Sequence, residues 1–139
     1  MVELSGMSYV CIMSTRSQDR FELALRSHTH GSTGAETAVE LLVHHGSWLH
    51  RCDFLDRLVE YGNSVGGTAV TDARVVWDRV PAFLVVAGCS ADERSILLLA
   101  AELAGTDTGV ALWDLLGDLD TTSAEIVADA LRTVLRDQR

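Results

Sequence analysis

Polar and apolar positions organise most clearly around Ser90 to Gly105, SADERSILLLAAELAG. Ser90 and Glu93 stand in the S-x-x-E spacing of a capping box, in which each satisfies an amide that the first helical turn leaves without a partner. Asp92 and Glu93 sit at the positive end of the helix dipole. Ile96 to Ala101 are apolar without interruption, so the middle of this helix has no wide polar face and must be covered on most sides. Gly105 supplies the stop.

Upstream, Thr33 and Glu36 repeat the capping-box spacing. Ala38, Leu41, Leu42, His45, Trp48 and Leu49 then follow at intervals of three and four, predicting a helix whose apolar stripe runs through Gly46. Glycine costs a helix interior about 1 kcal/mol relative to alanine, so a kink or a close helix contact is expected there. Asp53 caps one further turn with Phe54, Leu55 and Leu58. Between Leu58 and Trp77, Val59 and Tyr61 precede the turn formers Asn63 to Gly67, and Val70, Val75 and Val76 follow, predicting a small hairpin. DRVPAFLVVAG reads two ways: a strand over Phe83 to Val86, or a helix capped by Asp78 with Pro81 in its first turn and Gly88 at its end. The helix is preferred. Val110 to Leu116 predicts a short helix, and Asp120 or Thr122 caps a last one with Ile126, Val127, Ala130, Leu131, Val134 and Leu135 inward.

These elements predict a mainly α fold with a minor β part: a compact domain of about five to six helices with a small hairpin near residues 58–77. Residues 1–31 read as a partly flexible extension holding a short helix from Gln18 to about Arg26, with Phe21, Leu25 and Leu23 inward, and residues 32–139 as one helical domain.

W-x-x-V at Trp77 and Val80, the alanine- and leucine-rich Ser90 to Gly105, L-x-D-L-L-x-x-L-D from Leu112 to Asp120, and the closing amphipathic helix form one arrangement, with W-L-x-R at Trp48 to Arg51 upstream. It resembles a group of small uncharacterised actinobacterial proteins. The resemblance covers most of the chain after residue 35; it implies a helix at residues 79–87 and no particular activity.

With 139 residues, 47% of them apolar, the chain has enough material for one core. Its apolar runs are cut by Pro81, Cys89 to Glu93 and Glu102, short of the roughly 18 residues a membrane span needs. The N-terminus lacks a basic start and a small-residue cleavage pattern, and Cys11, Cys52 and Cys89 are odd in number and widely spaced. Both features predict a cytoplasmic protein without a disulfide framework. The net charge of −9, with every cation an arginine, argues against direct nucleic-acid binding. Residues 106 to 139 hold seven acids against three arginines, which fits helix starts and a helix end as well as it fits a basic partner.

Candidate chemistry is sparse. Zinc needs three or four converging ligands, and His28, His30, His44, His45 and His50 show no H-x-x-x-H spacing. His44 and His45 point about 100° apart on a helix, the first outward and the second along the apolar stripe. Only His50 with Cys52, joined by His28 or His30, makes a reasonable set. Cys89 and Ser90 stand at a helix start, where a thiolate is stabilised. If Phe83 to Val86 were a strand, Gly88 to Asp92 would approach a nucleophile elbow, but Asp92 occupies the position that motif reserves for glycine. The Gly31 to Gly34 loop resembles an anion cradle without the G-K-[ST] ending of a P-loop, and Glu36 behind it repels phosphate. Trp48, Trp77 and Trp113 fall one to an element; each is a core residue or an interface residue.

No catalytic, cofactor-binding or metal-binding residue is therefore assigned. The expected role is noncatalytic: binding of a protein partner, or self-association as a homodimer, through a helical, acidic surface. The alternatives are a small thiol- or metal-dependent enzyme using Cys89 or His50 with Cys52, and an acidic mimic of nucleic acid that fills the basic groove of another protein.

Overall fold

Helix α5 (Ala91–Leu103) forms where the capping box predicts it. The Glu93 amide donates to Ser90 Oγ at 3.0 Å and the Ser90 amide to Glu93 Oε1 at 3.0 Å. Its far end closes as a Schellman motif: Gly105, at φ 104°, donates to the Glu102 carbonyl, and Thr106 to that of Ala101. Every residue from Ser95 to Ala101 is buried, so the apolar run is enclosed on all sides.

The computed structural model describes residues 15–29, 31–62 and 72–137. Around α5 stand α1 (Thr15–His28), α2 (Thr33–His45), α3 (Cys52–Leu58), α4 (Val80–Val86), α6 (Leu112–Gly117) and α7 (Thr121–Asp137). Strands β1 (Val59–Gly62) and β2 (Asp72–Val75) pair antiparallel, with Val59 opposite Val75 and Glu60 opposite Arg74. The chain is thus mainly α with a small hairpin. The turn residues Asn63 to Gly67 and the first dozen residues lie outside the described residues.

Helix α2 is the other organiser: it packs against α5 on one side and α7 on the other. Its cap is Ser32, one residue before the expected Thr33, and Ser32 Oγ accepts from the Ala35 amide. Gly34 in its first turn lies so close to α5 that a β-carbon there would stand 2.2 Å from the Leu103 carbonyl oxygen. The stripe does not run through Gly46 as a helix. Gly46 takes φ 85° and ends α2, and Trp48–His50 is a separate 3-10 turn. Glycine here serves a left-handed cap that a side chain would strain.

That turn drives Trp48 into the core, where it is fully buried against Phe54 and Phe83 at ring separations of 5.9 and 5.7 Å. Arg51 covers the indole with its guanidinium carbon 4.5 Å from the ring and is only 6% exposed. The buried cation is neutralised by a two-pronged pair with Asp53, at 3.0 and 2.7 Å. Helix α4 carries Pro81 in its first turn, as expected of the helical reading, although Arg79 and Ala87, rather than Asp78 and Gly88, form its caps. Helix α1 begins earlier and ends later than Gln18 to Arg26; it lies on β2 and adds Phe21, Ala24 and Leu25 to the core.

Two expectations are corrected. Leu23, Leu131 and Leu135, expected inward, are 62%, 37% and 67% exposed; on α7 the buried face carries Val127, as expected, together with Ser123. Cys52 is disulfide-bonded, against the expectation of no disulfides, while Cys89 is a free thiol. Spacing along the chain does not tell which cysteines approach in space.

Gly34→Ala is expected to push α2 off α5 and lower the melting temperature by about 5 °C or more, since overpacking a tight contact costs roughly 1–3 kcal/mol. Gly88→Ala, with open space around it, should melt within about 1 °C of the parent. Thermal unfolding of both variants by circular dichroism makes the check.

Candidate functional site

A polar cluster lies at the first turn of α5, where the end of α2 and the start of α7 converge. Successive helical residues point about 100° apart, so Asp92 and Glu93 reach different neighbours. Asp92 Oδ2 accepts from His45 Nε2 at 3.1 Å, at the end of α2, and from Ser123 Oγ at 2.8 Å, in the first turn of α7. Asp92 Oδ1 accepts from the Asp120 amide at 2.9 Å. Asp120 itself caps α7 through the Ser123 amide at 2.7 Å. Glu93 Oε2 accepts from Ser47 Oγ, and the Glu93 carbonyl accepts from Trp48 Nε1 at 2.8 Å.

Burial by itself would raise the Asp92 carboxyl. The Asp120 amide, the Ser123 hydroxyl and His45 together outweigh it and hold the group below the usual aspartate value. Glu93 behaves alike: burial raises it, and the bonds from Ser47 and the Ser90 amide, with the charge of Arg51, bring it below the usual glutamate value. Both are therefore carboxylates at neutral pH.

Serine, histidine and aspartate meet here, but in an order that does not activate a nucleophile. In a hydrolytic triad the histidine stands between the other two. Here Asp92 is in the middle, the Ser123 hydroxyl donates its hydrogen bond to the carboxylate, and Ser123 is 2% exposed. His45 Nδ1 is buried without a hydrogen-bond partner. The cluster fixes three helices to one another.

The other candidates are dispersed. His28 meets Asp72 on β2 at 3.2 Å, His44 donates from Nδ1 to the Glu40 carbonyl at 2.8 Å, and His50 donates from Nδ1 to the Gly46 carbonyl at 2.6 Å. His30 lies outside the described residues. The disulfide withdraws Cys52 as a thiolate ligand for a site with His50, and among the described residues no group of three His, Cys, Asp or Glu side chains stands ready to hold a metal ion. Burial, then the neighbouring Glu93, push the Cys89 thiol above its usual value despite Arg51 and Arg94, so it is protonated and a poor nucleophile at neutral pH. Ser90 is engaged as the cap of α5. The Gly31 to Gly34 loop ends in the tight contact of Gly34 with α5.

Two recesses flank α7. A groove of about 480 Å³ between α2 and α7 has Leu41 and Ile126 in its walls with Glu36, Glu40 and Asp129 at its sides. Glu40 is engaged there by Arg26, Nε to Oε2 at 2.6 Å. On the other side of α7 is a more apolar cavity of about 260 Å³, lined by Leu99, Leu103, Val110, Leu112, Val127 and Leu131 among others. Leu112, in its wall, is 57% exposed, and the next residue, Trp113, is 83% exposed.

No family model, curated protein or solved structure matches the chain. The site is therefore read from its own geometry. Asp92 was legible only as a helix-dipole residue, because its partners stand 47 and 31 positions away; no spacing signal carries a contact of that range.

Asp92 and Glu93 titrate lower folded than unfolded. Their contribution to stability is fully present above about pH 4–5, the range in which unfolded carboxyls ionise, and is lost as the pH falls through the lowered folded values. Melting temperatures between pH 6 and 3 should drop steeply for the parent and less steeply for Asp92→Asn. Glu60, lowered by the hydrogen bond and charge of Arg74 but exposed, adds a part that salt screens; the Asp92 part should survive added salt. Equal slopes for parent and Asp92→Asn would refute the assignment.

Proposed function

We propose that this chain is a noncatalytic binding protein that acts through the surface formed by α6 and α7. The observation that carries the reading is the exposure of large apolar side chains on adjoining elements: Leu112 and Trp113 on α6, and Leu131 and Leu135 on α7. Contiguous exposed apolar surface costs solubility and marks contact sites, and tryptophan is enriched where a partner docks. Asp114, exposed beside Trp113 on α6, gives the patch a charged rim. We extend the reading to kinship with the small actinobacterial proteins that the Trp77 to Asp120 motifs resemble.

The enzyme alternative finds little support in the protonated Cys89 thiol and the disulfide-bonded Cys52. The nucleic-acid-mimic alternative needs acids that track along one exposed face. Here Asp120 caps α7, Asp107 accepts from the Gly109 amide and Asp129 pairs with Arg132, so these acids serve local turns and helices.

Among the described residues no helix is long and apolar enough to cross a membrane. A cytoplasmic location is part of the proposal; the disulfide at Cys52 weighs against it, since such bonds persist mainly in oxidising compartments.

Capture from lysate with immobilised protein should recover a specific partner at low salt, with recovery falling several-fold at about 0.5 M salt as flanking charges are screened. Trp113→Ala should reduce capture by about tenfold or more while leaving helix content unchanged. Metal analysis of untagged protein that found one tightly held zinc per chain would move the protein to the enzyme class. Thiol titration of denatured, unreduced protein should find Cys89 reactive and Cys52 unreactive; a reactive Cys52 would remove the disulfide and restore the cytoplasmic expectation.

A further inference from the structure

Helix α7 carries a second apolar seam that the monomer does not use. Ala124, Ala128, Leu131 and Leu135 follow one another at steps of four, three and four residues, the spacing that keeps one line of side chains along one side of a helix. The face α7 turns to α2 and α5 is another one, carrying Ser123 and Val127 at 2% and 4% exposure. The seam itself is open: Ala124 is exposed, Ala128 half-buried, and Leu131 and Leu135 are exposed.

Its residues are small in the first half and large in the second. A parallel partner of the same sequence would set alanine on alanine at one end and leucine on leucine at the other, leaving a gap and a crowd. An antiparallel partner sets Leu135 opposite Ala124 and Leu131 opposite Ala128, so that each large side chain enters the room left by a small one. The charges beside the seam agree. Glu125 follows Ala124 and Arg132 follows Leu131, and both lie on the solvent side of the seam. Antiparallel pairing brings Glu125 to the partner's Arg132, and two-fold symmetry repeats the pair. Parallel pairing would turn the two copies of this edge to opposite sides of the pair and leave Glu125 and Arg132 out of reach of each other. In the single chain Arg132 is held by Asp129 on the surface of its own helix, a contact worth little and readily exchanged. Along the other edge of the seam Leu131 and Leu112 together line the apolar cavity, whose mouth a second molecule would cover.

We infer that the occupant of this face is a second copy of this chain, with α7 packed antiparallel on α7 about a two-fold axis between Ala128 and Leu131. This rests on the binding role proposed above and names its partner.

Sedimentation equilibrium on the full chain tests it. The parent is expected to be a dimer. Leu131→Glu should weaken dimerisation by about a hundredfold or more, with helix content followed by circular dichroism. Glu125→Arg alone and Arg132→Glu alone should each weaken it by about tenfold, and the two together should return it to within about threefold of the parent. These two residues lie on the surface, so their variants report on association even if Leu131→Glu disturbs the fold. A parent that is monomeric at every concentration, a dimer unmoved by these changes, or a charge-reversed pair that fails to recover would overturn the inference. A monomeric parent that still captures another protein through Trp113 overturns self-association alone; a monomer that captures nothing overturns the binding role beneath it.

Discussion

Two adjacent carboxylates at the start of one helix hold this molecule in register. Asp92 and Glu93 point to different sides of α5, and each collects donors from a segment distant in sequence: Asp92 from the end of α2 and the beginning of α7, Glu93 from the turn that carries Trp48. Burial penalises a carboxylate unless several donors surround it, and here the donors are numerous enough to hold both groups ionised. The requirement runs both ways. The charge is tolerated only when α2, α5 and α7 are docked, so the first turn of α5 orients its neighbours, which greasy packing alone does loosely.

The apolar part of the fold answers to the same helix. The run Ile96 to Ala101 must be covered, and α2 approaches it closely enough to require glycine at position 34. The Trp48, Phe54 and Phe83 cluster under Arg51 fills one region of the core. Helix α7 is held differently. Asp120 and Ser123 pin its first turn, whereas Leu131 and Leu135 further along lie open. A helix fastened polar at one end and left apolar at the other presents a rigid edge to a partner without losing its place in the monomer.

Elements whose signals are local were legible from residues alone. The capping box at Ser90 and Glu93, the helix over Pro81, the hairpin between Leu58 and Trp77 and the cap at Asp120 each rest on neighbours within a few positions. Errors arose where one pattern has two physical outcomes. The stripe through Gly46 satisfies a helix, yet the same glycine suits a left-handed stop, and tertiary placement of Trp48 decided for the stop. In α7 the apolar positions form two seams about a quarter turn apart; periodicity counts both as inward, while only the one facing α2 and α5 is covered. The polar cluster was invisible because it joins residues from 45, 92 and 123, and the bond at Cys52 because cysteine spacing carries no distance.

The most direct test of the Asp92 fastening is a double-mutant cycle on Asp92→Ala and Ser123→Ala, with unfolding free energies from urea denaturation. If the carboxylate holds α7 through that hydroxyl, the two changes should be non-additive by about 1 kcal/mol or more, with the second costing less once the first is made. Additivity within about 0.3 kcal/mol would mean that the two side chains are energetically independent, and that α7 is held by something other than the first turn of α5.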